Sequence, residues 1–227
     1  MHRRSAMTPL ARLRAAGFTP RQIASKQTGF VYQLHNVISR VHAQEVFEAL
    51  RASTDSWRFR EDYYGRQGRQ TCYFGDPDAI FSYVGLSLEP RPWPRCLDDA
   101  RKAVGRIADA HSTRLTACLA NLYERGTGEI PWHHDEVRAC GEAKLVIALS
   151  LGGERRMLLR RRDCVSTPTV SLSLPAGSAV VMGGSAQDHW EHALPLDGED
   201  APPRISLTFR SIEPGYEVGR PPPLPNE

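Results

Sequence analysis

The sequence predicts a mainly β fold with flanking helices (α+β), built round a double-stranded β-helix (jelly roll) core with an N-terminal helical and lid region. Three observations predict it: six short apolar runs between residues 116 and 209, the glycine-, proline- and aspartate-rich turns that separate them, and two amphipathic stretches ahead of them. A chain of 227 residues, 41% of them hydrophobic, is long enough to bury one core of ordinary size, so a single domain is expected.

Residues 1–28 read as a basic, flexible arm. They carry Arg3, Arg4, Arg12, Arg14 and Arg21 among serines and threonines, and no acidic residue precedes Glu45. Mitochondrial transit peptides share this composition, although a plain disordered tail has it too. The domain is expected over 29–213. Phe30-Val31-Tyr32-Gln33-Leu34 reads as an opening strand, and 41–52 as a helix with Val41, Val46, Phe47 and Leu50 at helical spacing. The arginine-rich stretch 57–76 holds two strand-like pieces around Gly65-Arg66-Gln67-Gly68, the pattern of a hairpin or lid. Pro90, Pro92 and Pro94 mark a turn, and 96–110 reads as a helix with Leu97, Ala100, Val104 and Ile107 on one face. Strands follow at 116–123, 143–151, 156–160, 170–174, 179–182 and 205–209, with both helices expected outside one sheet. A loose proline-rich tail, 214–227, ends the chain.

Charge narrows the function only a little. The chain has 29 basic and 26 acidic residues, a net +3, but lysine occurs only at Lys26, Lys102 and Lys144, so its cations are nearly all guanidinium groups. A planar guanidinium fork suits carboxylates and phosphates, yet an arginine-rich genome writes the same composition. The five cysteines, Cys72, Cys96, Cys118, Cys140 and Cys164, are odd in number and never spaced C-x-x-C, which argues against a disulfide framework or zinc site and for a reducing intracellular compartment. No run of 18 apolar residues occurs, so no membrane span is expected.

His133-His134-Asp135 carries the chemistry. Side chains two apart on a strand share a face, so His133 and Asp135 point together while His134 points away. Two imidazoles and a carboxylate on a β frame form the ligand set of a non-haem Fe(II) site. The second imidazole must come from a distant strand; Asp188-His189-Trp190-Glu191-His192 offers both His189 and His192, and spacing does not choose between them. Along Arg204-Ile205-Ser206-Leu207-Thr208-Phe209-Arg210, apolar and polar residues alternate, so one face packs and the other presents two guanidinium groups. A buried arginine needs an anionic partner, and a bound dicarboxylate supplies one. The two arginines lie roughly 20 Å apart along an extended strand, so they reach one small molecule only by leaning together.

These residues carry a resemblance. Asn121-Leu122-Tyr123, Gly126, Ile130, His133, Asp135, His192-Ala193-Leu194-Pro195 and the Arg204–Arg210 run, with Gly85-Leu86-Ser87-Leu88, Pro90, Pro92 and Trp93, resemble the AlkB-type Fe(II)/2-oxoglutarate dioxygenases, in particular the eukaryotic DNA-repair branch, over about 30–212. The resemblance implies Fe(II) held by His133, Asp135 and His192, since the family's third ligand stands two positions before a Leu-Pro pair. It implies 2-oxoglutarate bound by Asn121, Tyr123, Arg204 and Arg210. It also implies oxidative dealkylation: O2 and 2-oxoglutarate are consumed, an N-methyl carbon is hydroxylated and leaves as formaldehyde, and succinate and CO2 are released.

The implied partner is alkylated DNA or RNA, with bases of the 1-methyladenine and 3-methylcytosine type, acted on by a monomer in the nucleus, cytoplasm or mitochondrion. Tyr73, Phe81 and Tyr83 fall where related enzymes face the base, Arg69 falls in the nucleotide-recognition lid, and Glu136 neighbours the position of a base-reading acid, here Val137. Duplex-repair relatives carry an apolar wedge where this chain has Arg60-Glu61-Asp62-Tyr63-Tyr64, so a single strand is the favoured substrate. The alternative is an enzyme of the same fold acting on a protein side chain or small metabolite; Arg58, Arg60, Arg66 and Arg69 beside aromatics favour nucleic acid.

Overall fold

The computed structural model describes residues 7–24, 29–53, 57–62, 65–83, 86–126, 128–164 and 168–214. Its elements run α1 (Pro9–Ala15), β1 (Pro20–Ala24), β2 (Phe30–Leu34), α2 (Arg40–Ala52), β3 (Arg58–Asp62), β4 (Gly65–Gly75), β5 (Phe81–Tyr83), β6 (Leu86–Leu88), a 3-10 turn (Arg95–Leu97), α3 (Asp98–Ala110), β7 (Ala117–Tyr123), β8 (Ile130–His133), β9 (Val146–Gly152), β10 (Arg155–Arg161), β11 (Val170–Leu174), β12 (Ala179–Gly183), α4 (Ala186–His189), β13 (Trp190–Leu194) and β14 (Arg204–Arg210).

Two antiparallel sheets face each other, as a jelly roll requires. The major sheet has the order β1-β2-β12-β9-β14-β7-β4-β3, and the minor sheet the order β11-β10-β13-β8. β14 is central: Arg204 pairs with Tyr123 of β7 and Gly152 of β9, and Arg210 with Ala117 and Val146. Alternation then sorts its side chains. Ile205, Leu207 and Phe209 enter the core shared with α2 and α3, outside the major sheet. Arg204, Ser206, Thr208 and Arg210 therefore face the second core, between the sheets, where Leu119, Val146 and Val180 of the major sheet meet Leu159, Leu172 and Leu194 of the minor one.

The helices form where expected, with instructive differences. Ser39 caps α2 by accepting a hydrogen bond from the His42 N–H at 3.1 Å, and Ala43, Val46, Phe47 and Leu50 are its buried stripe. Val41 is 71% exposed, because five residues on from it, at Val46, the helix has turned to a direction about 140° away. α3 starts at Asp98 rather than residue 96, with Asp98 and Asp99 favourably placed in its first turn. The 1–28 segment, expected to be flexible, contains α1 and β1; β1 finds its partner in β2, pairing Pro20 with Leu34, and Leu13 of α1 is fully buried. Its basic composition hid both, since a short edge strand needs few apolar residues of its own. Stretch 57–76 forms the β3–β4 hairpin at one edge of the major sheet. No helix among the described residues is long and apolar enough to cross a membrane.

One histidine ties stability to pH. His111, just past α3, stacks on Phe30 of β2 with ring centroids 4.6 Å apart. Burial, and secondarily Arg12, pulls its pKa from 6.5 down to about 4. The folded pKa is the lower one, so between those values the unfolded chain takes up the proton first, and stability present above pH 6.5 is lost as pH falls toward 4. Melting curves across this window are expected to fall less steeply for His111→Phe, which keeps the stack and loses the proton site. Identical slopes for the two proteins would rule this out.

Candidate active site

His133 ends β8 and lies opposite His192 of β13 in the minor sheet, and their ring centroids are 4.2 Å apart. One ligand atom from each of His133, Asp135 and His192 lies within 4.8 Å of the others, a group able to hold a metal ion. Nδ1 of His133 sits 2.9 Å from the carbonyl oxygen of Pro131. A carbonyl only accepts, so Nδ1 carries the proton and Nε2 keeps its lone pair for a metal. Burial pulls the pKa of His192 down to about 4, with His133 adding to the effect, so its imidazole is neutral as a ligand must be. At Asp135 burial pushes the pKa up, but Arg210, 3.2 Å from Oδ2, and the neighbouring histidines outweigh it and hold the carboxyl below the usual range. The group thus offers two imidazoles and one carboxylate, the donor set that suits Fe(II).

His133 and Asp135 point together as the strand argument expects, but the strand does not extend to Asp135. β8 stops at His133, so Asp135 lies past the strand and its direction is set otherwise. Its backbone N–H donates to Oε1 of Gln187 at 2.9 Å, from α4 just ahead of β13. Gln187 is 3% exposed and its Nε2 lies 3.4 Å from the Met182 sulfur. Sequence reasoning missed this residue, because its partner is 52 positions away and no local pattern marks it. His134 is exposed, as expected. His189 faces elsewhere, with Nδ1 3.6 Å from Asp163, so register with His133 selects His192.

A buried polar row leads away from the triad along β14. Arg210 is at the metal end, its guanidinium 5.2 Å from the centre of the Phe81 ring. Arg204, at the far end, is 1% exposed and lies 5.4 Å from the centre of the Tyr123 ring. Its Nη2 donates to Ser150 Oγ at 3.0 Å, while its buried Nε and Nη1 have no acceptor among the described residues. Donors of this kind fit a carboxylate, so the residues present fit 2-oxoglutarate. Asn121, on the same face, accepts a bond from Arg69 Nε at 3.1 Å. Arg69 is buried, so it stands beside a cosubstrate candidate rather than open on the lid.

The other substrate candidates are placed as follows. Phe81 is 1% exposed and lies 6.2 Å from Tyr73, whose hydroxyl donates to the Ala79 carbonyl at 2.6 Å. Both are wall residues of the inner core, not open stacking surfaces. Tyr83 belongs to β5, but its side chain, like Tyr63 and Tyr64, falls outside the described residues. Glu136 is held by Arg138 through Nε–Oε1 at 3.0 Å and Nη2–Oε2 at 2.6 Å. Burial raises its pKa, but the bonds to Arg138 lower it more.

Gly128 protects the cleft. Its φ is +85°, and a Cβ there would come within 2.3 Å of Tyr123 Cδ1. Gly128→Ala is expected to push the Tyr123 ring away, raising the KM for 2-oxoglutarate severalfold and destabilising the fold by about 1–3 kcal/mol. Steady-state kinetics with a thermal melt measure both, and an unchanged KM would show that the ring yields without consequence.

The family profile described as the 2OG-Fe(II) oxygenase superfamily matches residues 30–210. Over 163 residues the chain is 28% identical to the human (Homo sapiens) alpha-ketoglutarate-dependent dioxygenase alkB homolog 3, covering 68% of this chain and 55% of that protein. It is 29% identical over 152 residues to the mouse (Mus musculus) DNA oxidative demethylase ALKBH2, covering 64% of this chain and 62% of that one. The chain thus spans less than two thirds of the length of these relatives. Among solved structures, "The structure of OsALKBH1" superimposes with a TM-score of 0.56 at 18% identity over 84% of this chain and all of that one. A Pseudomonas putida prolyl-4-hydroxylase does so at 0.56 and 17% identity, over 83% of this chain and 95% of its own; at such identity both speak to the fold alone. With the match extending from β2 to the last residue of β14 and so enclosing the whole triad and the arginine row, this chain belongs to the 2OG-Fe(II) oxygenase superfamily, whose enzymes use Fe(II), 2-oxoglutarate and O2.

Proposed function

We propose that this protein is a dioxygenase that oxidatively demethylates N-alkylated bases of the 1-methyladenine and 3-methylcytosine type in nucleic acid, with single strands favoured. The observation that carries this reading is the likeness, across about two thirds of the chain, to proteins named alkB homolog 3 and DNA oxidative demethylase ALKBH2. Fe(II), when bound with 2-oxoglutarate and O2, supplies the oxidation of the methyl C–H bond, after which formaldehyde leaves.

The chain's own residues divide the work. His133, Asp135 and His192 would hold Fe(II), which supplies the oxidising chemistry when bound. Arg204 takes the distal carboxylate of 2-oxoglutarate, because its vacant donors lie at the end of the β14 row remote from Asp135; Asn121 and Tyr123 line the path between. Arg210 remains bonded to Asp135 and holds that carboxylate in its ionised form. The inner core excludes water from the reacting groups. Glu136 stands one position past the ligand Asp135, Tyr73, Phe81 and Arg69 shape the wall on the β4–β5 side, and Tyr83 is proposed to face the base on the resemblance alone. The charged Glu61 and Asp62 in the β3–β4 hairpin, where an apolar wedge would be needed to hold a duplex open, support single strands as substrate.

The test is demethylation of 1-methyladenine and 3-methylcytosine in matched single- and double-stranded oligonucleotides with Fe(II) and 2-oxoglutarate, read as formaldehyde and succinate. Faster turnover of the single strand is expected. Equal rates would remove the strand preference. Succinate formed on peptides or metabolites, with no base demethylated, would move the protein to the other substrate class.

A further inference from the structure

We propose that Gln187 is a positioning residue of the metal centre: by holding the main chain at Asp135, its amide oxygen fixes that carboxylate relative to His192 and so sets the affinity for the metal. The proposal rests on the reading that His133, Asp135 and His192 hold the metal, and it is independent of the substrate.

The members of the triad are supported unequally. His133 and His192 oppose each other across the β8–β13 pair, so strand pairing sets their distance. Asp135 lies two residues beyond the end of β8 and lacks that support. Arg210 grips its side chain, with Nη2 3.2 Å from Oδ2. Gln187 grips its main chain, with Oε1 accepting the backbone N–H at 2.9 Å. A contact to one carboxylate oxygen fixes a distance but leaves the group free to turn, and a ligand held to its working geometry needs its backbone fixed as well.

Gln187 is suited to this by how it is itself held. It is 3% exposed. Only the carbonyl end of an amide accepts from an N–H, so Oε1 faces Asp135 and Nε2 faces the Met182 sulfur at 3.4 Å; both contacts set the amide the same way round. Its main chain belongs to α4, a single turn too short to stand alone. Arg162 braces that turn: Nη1 donates to the carbonyls of Gln187 and Asp188 at 3.4 Å each, and its N–H to the His189 carbonyl at 2.9 Å. From the preceding loop, Lys144 Nζ lies 3.5 Å from Asp188 Oδ2. β13 follows α4 directly, and His192 is its third residue. The braced turn therefore delivers His192 through the chain and Asp135 through the Gln187 amide, and the β8–β13 register closes the triangle with His133.

The experiment is calorimetric binding of Co(II) to the metal-free protein, with the visible absorption of the Co(II) complex reporting how the ligands are arranged. Gln187→Met keeps the length and replaces a strong acceptor with a weak one; it is expected to weaken Co(II) binding by about 10–100-fold and to change the absorption bands. Gln187→Glu, which keeps an acceptor oxygen at the same reach, is expected to recover most of both. Met182→Leu, a swap that conserves volume and leaves the acceptor in place, is expected to bind Co(II) much as the wild type does. Gln187→Leu serves if the methionine variant does not fold. Unchanged affinity and bands in Gln187→Met, an equal loss in Met182→Leu, no recovery in Gln187→Glu, or failure of both apolar variants to fold would each overturn the proposal in favour of a packing role. An Asp135→Ala arm separates the underlying reading. Wild-type Co(II) affinity in that variant would mean that Asp135 is not a ligand; loss there with full binding in Gln187→Met would remove only the role of Gln187.

Discussion

Asp135→Ala is expected to abolish turnover. Loss of a group that merely supports a metal ligand costs up to about 100-fold in affinity or activity, and Asp135 is itself the only carboxylate in the triad, so its loss exceeds that. A second consequence follows from Arg210, which lies 3.2 Å from Asp135 and is buried. Removing one partner leaves a cation without its counter-charge, so the metal-free protein is expected to lose about 3–5 kcal/mol of stability. Asp135→Asn separates the effects, since it keeps the shape and removes the charge. Metal titration, succinate release and urea unfolding on the three proteins measure them. Succinate formation at the wild-type rate in Asp135→Ala would mean that the metal sits elsewhere.

Arg204→Met carries the second large effect, and its two parts have opposite signs. With the guanidinium gone, the distal carboxylate of 2-oxoglutarate loses a buried charge-assisted fork. Such contacts are worth about 2–5 kcal/mol, so the KM is expected to rise by about 30-fold or more. Without cosubstrate the wild-type protein holds Nε and Nη1 of Arg204 buried with no acceptor among the described residues, a cost that the apolar side chain removes. The variant is therefore expected to melt no lower than wild type in the absence of 2-oxoglutarate, and to lose the rise in melting temperature that 2-oxoglutarate gives the wild type. A large fall in the melting temperature of ligand-free Arg204→Met would show that the arginine is a structural member of the core.

These expectations share a physical theme. The row Arg204, Ser206, Thr208 and Arg210 is polar and buried, with Arg210 paired to Asp135 and Arg204 bonded to Ser150, and it sits on the central strand of the major sheet, where its geometry is held from both sides. The triad occupies the facing minor sheet with one ligand beyond a strand end, tied down by Gln187. A ring displaced beside the row changes the site as well, which is why Gly128, outside the triad but against Tyr123, is expected to matter.

Much of this was legible in the sequence. Period-two alternation in 204–210 separated a packing face from a two-arginine face because a strand's side chains must alternate, and the neighbours on both sides then buried each face. The H-x-D pair pointed to two members of the His133–Asp135–His192 group that could hold a metal ion, and the helices at α2 and α3 were readable from apolar spacing, although Val41 belonged to the solvent side. Other features depend on residues far apart in the chain. Whether His189 or His192 completes the triad is decided by the register of β13 against β8, which no spacing within 188–192 contains. The order in α1 and β1 comes from β2 and α3 lying alongside, not from their own basic composition. Asp135 takes its direction from Gln187, through a contact spanning dozens of residues. By itself, then, the sequence determined the strand-rich fold, the ligand types and the charge awaiting a cosubstrate, since each is written in local periodicity and residue chemistry. The tertiary structure supplied what local pattern lacks, the register that sets His192 against His133 and the packing that buries Arg204 and Arg210, because those depend on how separate strands align when their apolar faces are buried together.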